Sequence, residues 1–579
     1  MTDLHLTSDR PTESERAALD RVVPPGESTV LIETDRVVRS GRARRAAKRD
    51  LLLPALHALQ HHAGWISPGG LNLVAERLQV PPAEAYGVAT FYELFRTTPP
   101  EAPGPTHHVC ADAACQIAGA DDLASTLTAD GRRVRRSPCL GPCERAPARF
   151  VQAVGGEPDH VPADSEGISL PQAGEAGLRL LVRVGFVDPT SLASYREHGG
   201  YLALERAIGI GPDAVIDAVT RAGLSGRGGA AFPTGRKWRA VADQPAGTKH
   251  VVANCDESEP GTFKDRVLME HDPFALIEAL TIAGLATGAA VGWIYVRGEY
   301  PLATAQLTRA IEQARAAGLL GSDALGPGRP FDIELRRGAG AYVCGEETAL
   351  FNSIEGFRGE PRNKPPYPTT DGLFGAPTAV NNPETLCNVL GIVADGADAY
   401  RSVGTADSPG TRLFCLSGHV DRPGVYEVPF GTTLGSLIER AGGATTSLSA
   451  VLLGGAAGQF VGRDRLDLPL TLEDTRAAGL SLGSGMVMVF DDTVDFGPVV
   501  TRIAEFFRHE SCGQCVPCRV GTVRQHELLT GPLDTTPLDT ALLHDIARVM
   551  ADASICGLGH TASAAVRSAI DLGLIGATR

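Results

Sequence analysis

Cys512, Cys515 and Cys518 stand two residues apart in the stretch ESCGQCVPCRVGT, in a chain of 579 residues that contains only twelve cysteines. A C-x2-C-x2-C run crowds three thiolates too closely along the backbone for one tetrahedral zinc, whose usual pattern is two separated pairs. It suits a 4Fe–4S cubane, in which each cysteine takes a different iron. The fourth ligand has to come from elsewhere, and Cys556 in SICGLGHTA offers it from a loop between helices. Zinc and plain structural thiols are the alternatives. A second set, Cys110, Cys115, Cys139 and Cys143, reads C-x4-C, then twenty-three residues, then C-x3-C. Two pairs on two loops suit a 2Fe–2S cluster with one pair on each iron, although spacing alone leaves zinc open. Cys255, Cys344, Cys387 and Cys415 stand singly and read as buried small apolar residues.

Four further loops lie between the two sets. SGRGGAAFPTGRKW, residues 225–238, carries Gly226, Gly228 and Gly229, which would let backbone amides approach a phosphate, and Lys237, which could add charge. It matches neither the Walker A loop nor the G-x-G-x-x-G fingerprint. ANCDESEPGTFKDR gathers Asn254, Asp256, Glu257 and Glu259 behind a buried strand. RRGAGAYVCGEETALFNSIEG places Glu346 and Glu347 at a helix start, where acidic residues ordinarily do no more than favour the dipole. AVNNPETL supplies Asn381 and Asn382, ordinary turn formers. Singly each has a structural explanation; four at strand ends between two cysteine sets mark a cofactor site.

Around these loops the sequence divides into an α/β multidomain chain. Residues 1–48 read as a polar, solvated arm ending in the basic run RSGRARRAAKRD. Residues 49–98 have apolar positions at helical spacing and read as a small bundle, and 99–165 alternate strand, loop and helix as a small α/β module. Residues 166–200 read as a linker and 201–405 as an α/β domain with ligand loops at strand ends. Residues 406–495 read as a β-grasp-like domain and 496–579 as a helical bundle carrying the C-x2-C-x2-C motif. The formal net charge of −15 argues against nucleic acid or an anionic membrane as main partner. No apolar run is long enough for a membrane span and no export signal is visible, so a cytoplasmic protein is expected, where cysteines serve as metal ligands or buried thiols rather than disulfides.

Taken in order, GRGGAAFPTGRKW, NCDESEPGTFKDR, GAGAYVCGEETAL, NKPPYP, VNNPET, ESCGQCVPC and ICGLG resemble the flavin subunit of respiratory complex I and its relatives, over roughly residues 200–579. The first ~165 residues resemble the 24-kilodalton-type 2Fe–2S subunit, which implies a thioredoxin-like 2Fe–2S domain over residues 99–165, so the chain looks like a fusion of the two. The resemblance implies FMN held by Gly226, Arg227, Gly228, Lys237, Asn254, Asp256, Glu257, Ser258, Tyr342, Gly345, Glu346, Glu347, Asn381 and Asn382. It implies NAD(H) stacked on the flavin, with Phe232, Glu259 and Lys364 on the nucleotide side. Tyr367 stands where the family usually has phenylalanine near the adenine, and Ala231 replaces a usual glycine. Glu259, Glu346 and Glu347 are expected to act on the reaction itself, the last two by discouraging negative charge near the flavin and helping product nucleotide leave.

Relatives of this kind serve complex I, NAD-reducing hydrogenases and NAD-dependent formate dehydrogenases. The fused layout, including VDPTSLASYREHGGYLALERAI ahead of the flavin loop, looks most like the β subunit of a two-subunit formate dehydrogenase. That implies a partner carrying a molybdenum or tungsten pterin and further Fe–S clusters. A hydrogenase diaphorase and a complex I input subunit are the alternatives. Formate or hydrogen chemistry has no site in this chain and would belong to the partner.

Overall fold

The computed structural model describes residues 6–25, 48–101, 104–155, 158–162, 169–531 and 538–576. Near the N-terminus, helices Leu52–Ala63, Pro68–Leu78 and Pro82–Ala89 pack around Leu53, Leu56, Leu59 and Val74, all fully buried. The polar arm expected over residues 1–48 is in part a fourth member of this bundle. Thr12 and Glu15 form a reciprocal capping box that starts helix Glu13–Asp20. Its Leu19, with Val23 beyond it, is buried without measurable exposure. The polar composition concealed Ala18, Leu19, Val22 and Val23, which cluster on one helical face. Most of the basic run falls outside the described residues.

Three sheets follow. In the first, β1 (Thr106–Cys110) lies between parallel β2 (Arg133–Ser137) and antiparallel β3 (Arg149–Gln152), and the two cysteine loops follow β1 and β2. The second is all parallel, in the order β6-β5-β4-β7, from β4 (His250–Cys255), β5 (Val291–Val296), β6 (Asp332–Arg337) and β7 (Thr378–Asn381). Parallel strands need helices on their faces. Helix Pro273–Thr287 fills that role and is buried along its whole length. All four strands end on one side, so the loops after β4, β5, β6 and β7 converge at a single edge, the usual ligand edge of such sheets. The third sheet runs β11-β10-β12-β8-β9, from β8 (Thr411–Gly418), β9 (Gly424–Pro429), β10 (Leu448–Leu453), β11 (Gln459–Gly462) and β12 (Met486–Asp491), with helix Leu434–Arg440 on its face. Helices Phe496–Glu510, Val516–Thr530 and Thr540–Ala553 close the chain. Among the described residues no helix is long and apolar enough to cross a membrane.

The linker expected over residues 166–200 is a packed strap where it is described. Leu180, Leu181, Val184 and Tyr195 are buried. Two distant carboxylates pin it. Glu427 on β9 accepts the backbone N–H groups of Arg179, Leu180 and Leu181 at 2.9–3.1 Å and the Thr411 hydroxyl at 2.6 Å. Glu278, on the buried helix, accepts the Tyr195 hydroxyl at 2.6 Å and the N–H groups of Tyr201 and Leu204 at 2.8 and 2.9 Å. Buried charge is tolerated where it is fully hydrogen-bonded in this way. A composition rich in Gly, Pro and Glu misreads the strap because its partners lie far along the chain.

Candidate functional site

At the converging strand ends lies a cavity of about 450 Å³, within the usual range for a small-molecule site. The loop after β4 contributes Asn254, Asp256, Glu257, Ser258 and Glu259; that after β6 contributes Tyr342, Gly345 and Glu346; that after β7 contributes Asn382; and the glycine loop contributes Arg227 and Gly228. Asn254 donates to the Gly345 carbonyl at 2.7 Å, which ties two of these loops together. Asp256 accepts from the Ser258 hydroxyl at 3.0 Å through one oxygen, while its other oxygen is buried with no hydrogen-bond partner among the described residues. Such an orphaned acceptor fits a ligand that brings N–H or O–H groups, as a flavin does. Burial pushes the carboxyls of Asp256 and Glu259 up to about 7 and that of Glu257 up to about 8.

Not every expected residue reaches the cavity. Arg227 lines it only near its backbone: its guanidinium runs the other way, donating to the Tyr400 hydroxyl at 2.8 Å and lying 4.5 Å from the Phe430 ring centre. It joins the flavin-type domain to the third sheet. Gly226 closes its own turn through a bond to the Phe232 carbonyl, and Asn381 accepts from the Trp238 indole at 2.9 Å. Lys237 donates to the Val380 carbonyl at 2.8 Å, and burial lowers its pKa. A polar relay leads outward from the cavity: Lys364 binds Glu346 at 2.9 Å and Glu347 at 2.7 Å. Phe232 and Tyr367 are largely exposed, at 48% and 59%. The two glutamates are thus partly offset by Lys364 rather than facing the cavity as free charge.

The sequence reading missed one whole wall. Gly454, Ala457 and Gly458 after β10, and Ser481, Gly483 and Ser484 before β12, line the cavity from the third sheet. Ala457 N–H donates to Glu259 at 2.9 Å. Gly455, at φ +104°, lies so close that a Cβ there would meet the Glu259 carboxylate at 2.2 Å. The run LGGAAG was the available signal; it sits at a strand end but far from the other motifs. Lys264, buried between Asp265 at 2.8 Å and Glu384 at 3.0 Å, also lines the cavity and was missed.

Cys512, Cys515, Cys518 and Cys556 come together around a small adjoining void with Val343, Pro361 and Leu558. Burial and the neighbouring thiols push Cys518 up to about 12 and Cys556 up to about 11. Such thiols need the positive charge of bound iron to ionise. Four thiols around one void, three of them from a C-x2-C-x2-C run, fit a cubane cluster. Val343, Cys556 and Leu558 line this void and the larger cavity alike. The other quartet is fully interior, with Cys110, Cys115, Cys139 and Cys143 at most 5% exposed. The Cys115 thiol beside Cys110, and the Cys139 thiol beside Cys143, push those two partners well above the usual thiol range, which fits two pairs on a 2Fe–2S cluster. The Cys139 Sγ lies 4.0 Å from the Glu259 carbonyl oxygen, so this site too abuts the cavity. Cys255, Cys344, Cys387 and Cys415 are buried, as expected of apolar filling.

Comparison with known proteins agrees with this arrangement. Family models match a thioredoxin-like [2Fe-2S] ferredoxin over residues 39–157, a Nuo51 FMN-binding domain over 219–391, an SLBB domain over 413–456, and an NADH-ubiquinone oxidoreductase-F iron-sulfur binding region over 498–572. An NADH-quinone oxidoreductase subunit of Aquifex aeolicus is 45% identical over 385 residues, covering 66% of this chain and 89% of that protein. The NADP-reducing hydrogenase subunit HndC of Solidesulfovibrio fructosivorans is 42% identical over 400 residues, covering 68% and 81%. A chain in the crystal structure of an NAD+-reducing [NiFe]-hydrogenase in the H2-reduced state superposes with a TM-score of 0.78 at 34% identity, over 90% of this chain and 91% of that one.

Proposed function

The chain belongs to the family of NAD(H)-linked flavin subunits found in complex I and NAD-reducing hydrogenases, and from that premise we propose that it is the diaphorase subunit of an NAD-dependent formate dehydrogenase. FMN, when bound, exchanges hydride with nicotinamide and single electrons with iron–sulfur clusters. The observation that carries the diaphorase reading is the wall shared by the flavin-type cavity and the void of the C-terminal quartet, built from Val343, Cys556 and Leu558. A two-electron group bound in the cavity and a one-electron cluster bound in the void would share those three residues as a common wall.

In this reading Asn254, Asp256, Gly345 and Asn382 hold the flavin, with Asp256 presenting its free oxygen to it. Glu259, fixed by Ala457, faces the nucleotide. Lys364, held between Glu346 and Glu347, and exposed Phe232 and Tyr367 receive the rest of the dinucleotide. Cys512, Cys515, Cys518 and Cys556 hold the 4Fe–4S cluster, and the interior quartet holds the 2Fe–2S cluster. On the helix that carries Cys518, the apolar side chains of Val516 and Val520, next to the partly exposed Cys515, are about half exposed. That apolar skirt suits a cytoplasmic partner bearing a molybdenum or tungsten pterin and its own clusters. The net reaction is HCOO− + NAD+ → CO2 + NADH, with two electrons crossing this chain singly.

Formate as reductant rests on the resemblance of the fused layout, with residues 187–208 ahead of the flavin loop, to the β subunit of a two-subunit formate dehydrogenase. A second reading, with hydrogen as reductant, is favoured by the likeness to the NAD+-reducing hydrogenase over nine-tenths of both chains. NAD+ reduction by the natively co-purified complex separates them. Formate as sole reductant is expected to give a rate; a rate with hydrogen and none with formate would overturn the choice of partner and leave the diaphorase standing.

A further inference from the structure

The short loop after β5 is not among the flavin motifs, yet it touches both the flavin-type loop and an iron site. Arg297 begins it and is 2% exposed. One terminal nitrogen donates to the Glu257 carbonyl at 2.7 Å, inside the loop that lines the cavity. The other donates to the Cys139 carbonyl, in the second cysteine loop of the interior quartet, and to the Glu299 carboxylate at 2.9 Å. Tyr300, beside it, packs against the guanidinium at 4.9 Å and donates to the same Glu257 carbonyl at 3.2 Å. Gly141, between Cys139 and Cys143, sits at φ +102°, and a Cβ there would strike the Tyr300 ring at 2.4 Å. The cysteine loop is thus moulded onto this short segment.

Other cations near the quartet are placed differently. Arg266 is shared between Glu144 and Glu270 and makes no bond to a cysteine among the described residues. Arg502 binds Asp112 at 2.9 Å and Glu505 at 2.7 Å, on the side of the first cysteine loop. Arg297 pairs with Glu299 and bonds directly to a ligand-bearing residue. Reduction of an iron–sulfur centre adds one negative charge, and nearby cations and hydrogen bonds raise its potential. In a dry interior such a charge is weakly screened.

We propose that Arg297 is the positioning residue that docks the loop bearing Cys139 and Cys143 onto the flavin-type loop and holds the potential of the two-iron centre up, so that an electron leaving the flavin side can rest there. The proposal rests on the 2Fe–2S assignment above. Its test is an EPR-monitored redox titration of the full chain, reading the two-iron and four-iron signals separately. Arg297→Gln should make the two-iron centre at least tenfold harder to reduce, about 59 mV for one electron, and leave the four-iron midpoint in place. Glu299→Gln should shift the two-iron midpoint the opposite way, and Arg297→Lys should lie between wild type and Arg297→Gln. An intact two-iron signal with an unmoved midpoint in Arg297→Gln would overturn the proposal. If that variant loses the cluster, an absent or downward shift in Glu299→Gln overturns it instead. A wild-type chain without any two-iron signal would overturn the cluster assignment and the proposal with it.

Discussion

The two cysteine quartets flank one cavity but differ in what surrounds them. The N-terminal quartet is sealed, its loops locked by Arg297, Tyr300 and the Arg266–Glu144 pair against the flavin-type domain. The C-terminal quartet is shallow: three of its four cysteines are partly exposed, and half-exposed valines stand beside them. Solvent exposure and partner access decide what an electron can do next at such a site. If both hold clusters, the sealed quartet would be the store proposed above and the shallow one a port to the partner.

The sharpest way to break that contrast is to remove one ligand from each. Cys518→Ser should abolish electron exchange with the partner, to background, while NADH-to-dye activity at the flavin persists. Cys139→Ser should eliminate the two-iron EPR signal yet leave most partner-dependent NAD+ reduction in place. Equal losses would show both centres in series. A smaller effect is expected at the skirt of the port. Val516→Asp combined with Val520→Asp removes apolar area from a contact and places charge there; at about 1–2 kcal/mol for each side chain, partner affinity should fall roughly thirtyfold or more, measured by titration of the partner, with NADH-to-dye activity intact. Unchanged affinity would move the docking face elsewhere. The smallest effect concerns the shared cavity. Burial raises Glu259 to about 7, so it is neutral below that pH and anionic above it. The KM for NADH should therefore climb between roughly pH 6 and pH 8, because the carboxylate then repels nucleotide phosphates, and Glu259→Gln should flatten the profile. A wild-type KM independent of pH would remove Glu259 from the nucleotide side.

Much of this was legible in the sequence because ligand chemistry is local. Cysteine spacing separated a three-on-a-loop cubane pattern from two separated pairs, and glycine and acidic loops at strand ends located the cavity. What stayed hidden acts at long range. Arg227 sits in the right motif but turns its side chain toward Tyr400, 173 residues away. The wall from Gly454 to Ser484 has no motif of its own; it matters because a parallel sheet and a mixed sheet happen to face each other across Glu259. Helix Glu13–Asp20 and the strap were misread because polar composition describes surface on average and says little about which few apolar residues or backbone amides find distant partners. Arg297 follows a buried strand and looks like an ordinary strand-end cation until Cys139 is brought beside it.

The strap pinned by Glu427 and Glu278 changes what the fusion means. A slack connector would leave two modules to meet by diffusion within a tether, at an effective concentration set by its length. Residues 169–204 instead run as a brace, bonded at both ends to buried carboxylates. Both anchors lie in the flavin-type half, and the two-iron loops meet that half through Arg297, Tyr300 and the Arg266–Glu144 pair, independently of the covalent join. What it fixes is a ratio: every flavin-type site is made with one N-terminal cysteine quartet beside it, and neither can accumulate without the other.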